Sequence, residues 1–220
     1  MAGMTEKLTG QHVLDAHLTD WRLMVRSLHA HFATGDFATG IRFAERISAA
    51  AEEMNHHPDI DLRYPHVAVR LTSHDTGGVT ERDVELARRI SAAAADLGVA
   101  ADPSRVSLWE LALDAADHDA IKPFWRAVLG YDQNPSAGDE INDPAGAQPT
   151  LWFQGTEPHD EPRQRFHLDV WVPHDVAEQR LADALAAGGT MVSDAQAPSY
   201  WVLADADGNK ACICTWQDRG

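Results

Sequence analysis

The chain has 220 residues, of which 44% are hydrophobic and 24% charged; this is long for one small domain and ordinary for two folded ones. It excludes a disordered, collagenous or low-complexity chain, and no apolar run approaches the length of a membrane span. Thirty-four acidic against 18 basic residues give a formal charge of −16, which repels phosphate backbones and argues against nucleic acid as a main ligand.

Val13, Leu14, His17 and Leu18 suggest a short opening helix. From Trp21 to Ala33 an imperfect alternation reads as one or two strands. Asp36 is placed to cap a helix with Phe37, Ile41, Ala44, Ile47, Ala51 and Met54 on one stripe. That helix must end by His57, because Pro58 disfavours helical backbone in the residue before it. Ile60, Leu62 and Tyr64, then Val67, Val69 and Leu71, form a hairpin of two strands about the Tyr64-Pro65 corner. Thr80 caps a helix striped by Val84, Ala87, Ile90 or Ser91, Ala94 and Leu97, which stops at Gly98 with Pro103 beyond. The order predicts an α+β fold, an antiparallel sheet with helices on one face. A domain of residues 1–101 is expected, with a second from 102 to 220.

The second half reads as a strand at Leu108–Ala112, a helix at Ile121–Leu129 stopped by Gly130, and a strand at Thr150–Gln154. A strand at Phe166–Val172 and a helix at Val176–Ala187 come next, then strands around Met191, at Trp201–Ala204 and at Ala211–Trp216. Two successive βαβββ modules are expected, the first irregular, with residues 132–149 as a long loop and Pro123 delaying the start of its helix.

The halves differ in chemistry. Residues 1–100 carry 10 basic and 14 acidic side chains, net −4, against 8 and 20, net −12, in residues 101–220. Eight of the 12 histidines fall in the first 100 residues, so proton chemistry is expected there. Cys212 and Cys214 are the only cysteines, the usage of a reducing cytosol, and the start of the chain lacks the regions of a secretory signal. A cytoplasmic protein is expected.

The densest chemistry is Glu52-Glu53-Met54-Asn55-His56-His57-Pro58, followed by Tyr64, His74 and Asp83. Adjacent histidines at a helix end point in different directions, so one can face a pocket while the other braces it. His74 shares the parity of Arg70 and Thr72 rather than that of Val69 and Leu71, so it need not be core. Imidazoles give and take protons near neutral pH without a metal. Two neighbouring histidines seldom reach one ion, and no HExxH pair is present, so no metal is expected here. Each residue also has a plainer role open to it: His56-His57 can complement a helix end, Glu52 can be a solvated charge, and Asp83 can satisfy the amides of the helix that Thr80 caps.

The spacing Glu52-x3-His56-His57-Pro58-x5-Tyr64-x9-His74-x8-Asp83 resembles the signature of the pterin-4a-carbinolamine dehydratases, also called 4a-hydroxytetrahydrobiopterin dehydratases. Val69-Arg70-Leu71-Thr72-Ser73-His74-Asp75 and Gly77-Gly78-Val79-Thr80-Glu81-Arg82-Asp83 carry the same resemblance, which spans roughly residues 5–97. It implies a lyase that dehydrates 4a-hydroxytetrahydropterin to the quinonoid dihydropterin within tetrahydrobiopterin metabolism. Carried over by position, His56, His57 and His74 are the implied catalytic set. Glu52, Asn55, Pro58, Ser73, Asp75, Thr76 and Asp83 are the implied substrate-binding set. No cofactor is implied, the partner is a small pterin rather than nucleic acid or membrane, and a homo-oligomer is expected by analogy.

Leu111–Asp117, Phe124–Tyr131, Leu151–Gln154, His167–Val170 and Leu203–Asn209 resemble the glyoxalase-like domains of the vicinal oxygen chelate superfamily. The resemblance bears on fold more than activity. The superfamily's metal positions fall near Glu110, Thr150, His167 and Cys212. Thr150 is a poor ligand there, and a soft thiol replaces the usual carboxylate. His167 and Cys212 can equally be buried strand residues, and Trp109, Trp125, Trp152, Phe153, Trp171 and Trp201 can be core or pocket. The expected function is therefore a histidine acid–base dehydratase with an accessory C-terminal domain. The alternatives are a binding protein without catalysis and a metal-dependent lyase or dioxygenase working from the second half.

Overall fold

The computed structural model describes residues 6–106, 111–135, 137–158, 168–172, 177–215 and 217–218. It divides into two compact units, Met1–Leu108 and Trp109–Gly220.

In the first unit, α1 (Gly10–Asp15) is followed by β1 (Arg22–Met24), β2 (Ser27–Ala33), α2 (Phe37–Met54), β3 (Asp59–Arg63), β4 (His66–Leu71), α3 (Glu81–Asp96) and the short β5 (Ala100–Ala101). The strands form one antiparallel sheet in the order β1-β2-β4-β3, with β5 also on β2. Alternate residues of β2 and β4 are buried: Leu28, Ala30 and Phe32 on one strand, Val67, Val69 and Leu71 on the other. They meet Phe43, Ile47 and Ala51 of α2 and Val84, Ala87, Ile90 and Ala94 of α3 in a single core. Phe32 and Phe43 pack edge to face with centroids 5.0 Å apart, and the Trp21 indole donates to Ser91 Oγ at 3.1 Å. The helices thus cover one face, as the period-2 and period-3.6 patterns predict.

Two stripes differ from expectation. In α2 the buried line is Gly40, Phe43, Ile47 and Ala51, while Phe37 and Ile41 are exposed. The helix is turned so that Phe43 meets Phe32, and Gly40 sits close against Leu62. Ile60 in β3 and Tyr64 just past its end are exposed: β3 is an edge strand of the sheet, where a core-facing parity does not guarantee cover.

The second unit holds β6 (Leu111–Ala115), α4 (His118–Leu129), β7 (Asp132–Gln133), β8 (Glu140–Asn142) and β9 (Leu151–Gly155), then β10 (Leu168–Trp171), α5 (Ala177–Ala186), β11 (Thr190–Gln196), β12 (Tyr200–Ala204) and β13 (Lys210–Cys214). The two sheets have equivalent orders, β6-β9-β8-β7 and β10-β13-β12-β11. In each, the first strand runs parallel to the last and the remaining pairs are antiparallel. This is the duplicated βαβββ module expected from the pattern.

The segment 132–149 is not a plain loop: β7 and β8 pair within it. Both strands are too short to show periodicity. Past β8, Asp143 organises the backbone by accepting the N–H groups of Ala145, Ala147 and Gln148 at 2.9 Å each. Nor does Pro123 delay α4, which starts at His118 because Asp117 caps it through Ala120 N. Trp125, Phe153 and Trp201 are buried in the core of this unit, and Trp152 is half-buried. Trp125 donates to Asp205 Oδ2 at 2.9 Å, and Asp205 also closes the Asp207-Gly208-Asn209 turn. The predicted strand positions Leu108, Trp109, Glu110, Phe166, His167 and Trp216, the helix position Val176 and the side chain of Trp171 lie outside the described residues. Among the described residues, no helix is long and apolar enough to cross a membrane.

Candidate active site

The end of α2 sends its two histidines in opposite directions. Asn55 adopts the left-handed conformation (φ 46°) and returns its N–H to Ala51 O and Glu52 O, closing the helix. After that reversal His56 is buried at 7% exposure, whereas His57 lies outside with its side chain 55% exposed. His57 Nε2 lies 3.2 Å from Glu52 Oε1, one turn back on α2.

His56 enters a closed polar network. Its Nε2 is 2.7 Å from Asp83 Oδ1, and Asp83 is fully buried. The other carboxylate oxygen, Oδ2, accepts from Ser73 Oγ at 2.7 Å, from Thr80 N at 2.7 Å and from Thr80 Oγ1 at 3.2 Å. A buried carboxylate is stable only with its oxygens satisfied; here one oxygen takes the histidine and the other takes the helix cap. Asp83 therefore does both things that its sequence position allows: it completes the capping box of α3 with Thr80 and holds His56.

The same network anchors the turn after β4. Ser73 is buried, bonds Thr80 Oγ1 at 2.8 Å and bridges to Gly78 across the turn. His74 and Asp75 are exposed, and Thr76 is half-buried with its hydroxyl donating to Ser73 O at 3.1 Å. Asp75 accepts from Arg82 Nη2 at 2.5 Å, and that hydrogen bond holds its carboxyl below the usual carboxylate range. Pro58 is half-buried beside His57, and Glu52 and Asn55 are exposed. Two hydrogen-bonded groups emerge from the predicted set: His56, Asp83 and Ser73 inside, and His57 with Glu52 outside. Sequence reading missed Arg82, because a contact between the second residue of a helix and a preceding turn leaves no periodic signal.

Of the four metal positions named in the second unit, Thr150 and Cys212 are among the described residues. Glu110 and His167 lie outside the described residues. Cys212 is buried, and burial, with Asp169 adding to it, pushes its thiol up to about 11. A thiol is a soft donor, ill matched to a hard divalent cation, and Thr150 adds no charge.

The fold of the first unit and the buried His56–Asp83 network define a histidine-bearing α+β domain, joined in one chain to a paired βαβββ domain. The model of the pterin 4 alpha carbinolamine dehydratase family matches residues 4–93 and that of a glyoxalase-like domain matches residues 110–214. A Sulfurisphaera tokodaii protein named "Putative pterin-4-alpha-carbinolamine dehydratase" is 37% identical over 87 residues, covering 39% of this chain and 94% of its own. A transcriptional coactivator/pterin dehydratase from Brucella melitensis is 31% identical, covering 40% of this chain and 99% of its own, with a TM-score of 0.39. A glyoxalase/bleomycin resistance protein/dioxygenase family enzyme from Burkholderia phytofirmans is 17% identical, covering 50% of this chain and 98% of its own, with a TM-score of 0.40. The chain belongs to the pterin-4-alpha-carbinolamine dehydratase family and carries a glyoxalase-like domain after it.

Proposed function

We propose that the first unit dehydrates 4a-hydroxytetrahydropterin to quinonoid dihydropterin by acid–base catalysis. The reaction breaks the C4a–OH bond and the N5–H bond, forms the C4a=N5 double bond and releases water. One group must protonate the departing hydroxyl while another removes the N5 proton, at one pH. His57 and His74 serve these steps. The observation that carries this reading is a contrast in burial: His56 is buried against Asp83 while His57 and His74 are exposed.

In this reading His56 acts through the structure around it, by fixing the end of α2 against α3. Glu52 orients the His57 ring, and Pro58, Asn55, Asp75 and Thr76 border the pterin. Asp83 and Ser73 reach the ligand only indirectly, because they are buried in the network. No cofactor enters the balance of the reaction. The small-molecule partner is the pterin, the chain acts as a homo-oligomer by family analogy, and two buried cysteines suit a reducing cytoplasm. The glyoxalase-like domain is accessory to this step.

Dehydration of freshly generated 4a-hydroxytetrahydropterin, followed by stopped-flow absorbance, tests the reading. The full chain is expected to accelerate the reaction, and His57→Ala and His74→Ala each to lower kcat by roughly 10²- to 10³-fold. Equal rates for wild type, both variants and buffer alone overturn it.

A further inference from the structure

α3 begins with two adjacent residues that grip two different segments of the site. Asp83 bonds the His56 imidazole at 2.7 Å. Its neighbour Arg82 reaches the other way, to Asp75 at 2.5 Å, and Asp75 follows His74 in the chain. The geometry points to Arg82 as a positioning residue that holds the His74-bearing turn at the site through Asp75. The inference rests on the dehydratase reading above.

The turn needs such a tie. Its backbone bonds run between Ser73 and Gly78 and from Thr76 N and Gly77 N to Ser73 O, with the Thr76 hydroxyl reaching both Ser73 O and Gly78 O, so they close its base. Gly77 sits at φ 63° beside Gly78, and two consecutive glycines make the backbone permissive. Ser73 secures the base to Asp83 and Thr80. Beyond it, the Arg82–Asp75 pair fastens the tip to the helix.

Arg82 is well placed for the task. Its side chain is only 24% exposed while that of Asp75 is 58% exposed, so the restraint is applied from the protein side. Its backbone N–H is held by Thr80 Oγ1 at 3.2 Å. Its Nε is buried with no hydrogen-bond partner among the described residues. Burying an unpaired donor costs free energy, which is poor design for a purely stabilising ion pair. It fits a side chain whose orientation is set by the turn it must hold.

The test combines kinetics with a spectroscopic readout on the full chain. Arg82→Ala is expected to lower kcat roughly tenfold with KM changed by less than about twofold, and Arg82→Lys to restore most of the loss. Asp75→Asn should match Arg82→Ala, and the double variant should be no worse than either single one, since both remove the same restraint. The ring cross-peaks of His74 in a ¹H–¹⁵N spectrum should broaden or split in Arg82→Ala and stay sharp in Arg82→Lys. Wild-type kcat in Arg82→Ala, a double variant that multiplies the two single losses, or unchanged His74 peaks would each overturn the inference. A wild-type chain that fails to accelerate dehydration retires the dehydratase reading, while the His74 spectrum still decides the positioning role.

Discussion

At the scale of single residues, neighbours in sequence have opposite surroundings. His56 and His57 differ in burial because one left-handed residue, Asn55, intervenes between them and the helix. The histidine pair was legible as a candidate site; which member faces solvent was not, since that depends on a backbone reversal and on Asp83, 27 residues away. His29 shows a different effect of burial. It lies between Arg22 and Arg70 in the strand register. Burial first, and Arg70 second, push it down to about 4. A histidine depressed in the folded state keeps its full contribution above pH 6.5, because both states are then neutral. As pH falls from 6.5 toward 4 the unfolded chain takes up the proton first, and stability is lost. With solvent screening of a partly exposed ring allowed for, the loss is about 2 kcal/mol. Urea denaturation of wild type and His29→Gln across that range should show a smaller loss in the variant; parallel curves would contradict this.

At the scale of elements, the caps were readable and the faces only partly so. Asp36, Thr80 and Gly98 mark boundaries because capping is local chemistry within a few residues. The buried stripe of α2 was displaced because Phe37, Ile41 and Phe43 offer competing faces, and only contact with Phe32 selects one. Close packing also gives a role to Gly189, just past the end of α5. A Cβ on Gly189 would meet the Phe124 ring and the carbonyl oxygen of Ala184. Gly189→Ala is expected to cost about 1–3 kcal/mol by overpacking the seam between α4 and α5. A thermal midpoint equal to wild type for the second unit would count against that.

At the scale of the whole chain, the two hydrophobic clusters share no residue among those described, and each unit buries its own core. Two separable unfolding transitions are therefore expected in calorimetry. Phe43→Ala should depress one and leave the other, and Trp125→Ala should do the reverse, each costing about 3–5 kcal/mol in its own unit. A single transition moved by both substitutions would refute independent cores. The appended domain also accounts for most of the acidity, with a net −12 of the −16 in residues 101–220. The overall charge is thus a property of its sequence rather than of the histidine site.

Residue spacing by itself determined the class of each half, the helix caps and the list of chemically able side chains, because these depend on periodicity and on contacts a few residues long. The tertiary structure decided which histidine braces and which is exposed, and joined Ser73, Thr80 and Asp83 to His56. It also paired Arg82 with Asp75. Those outcomes depend on where separate elements meet, and packing between elements is not encoded in any one segment.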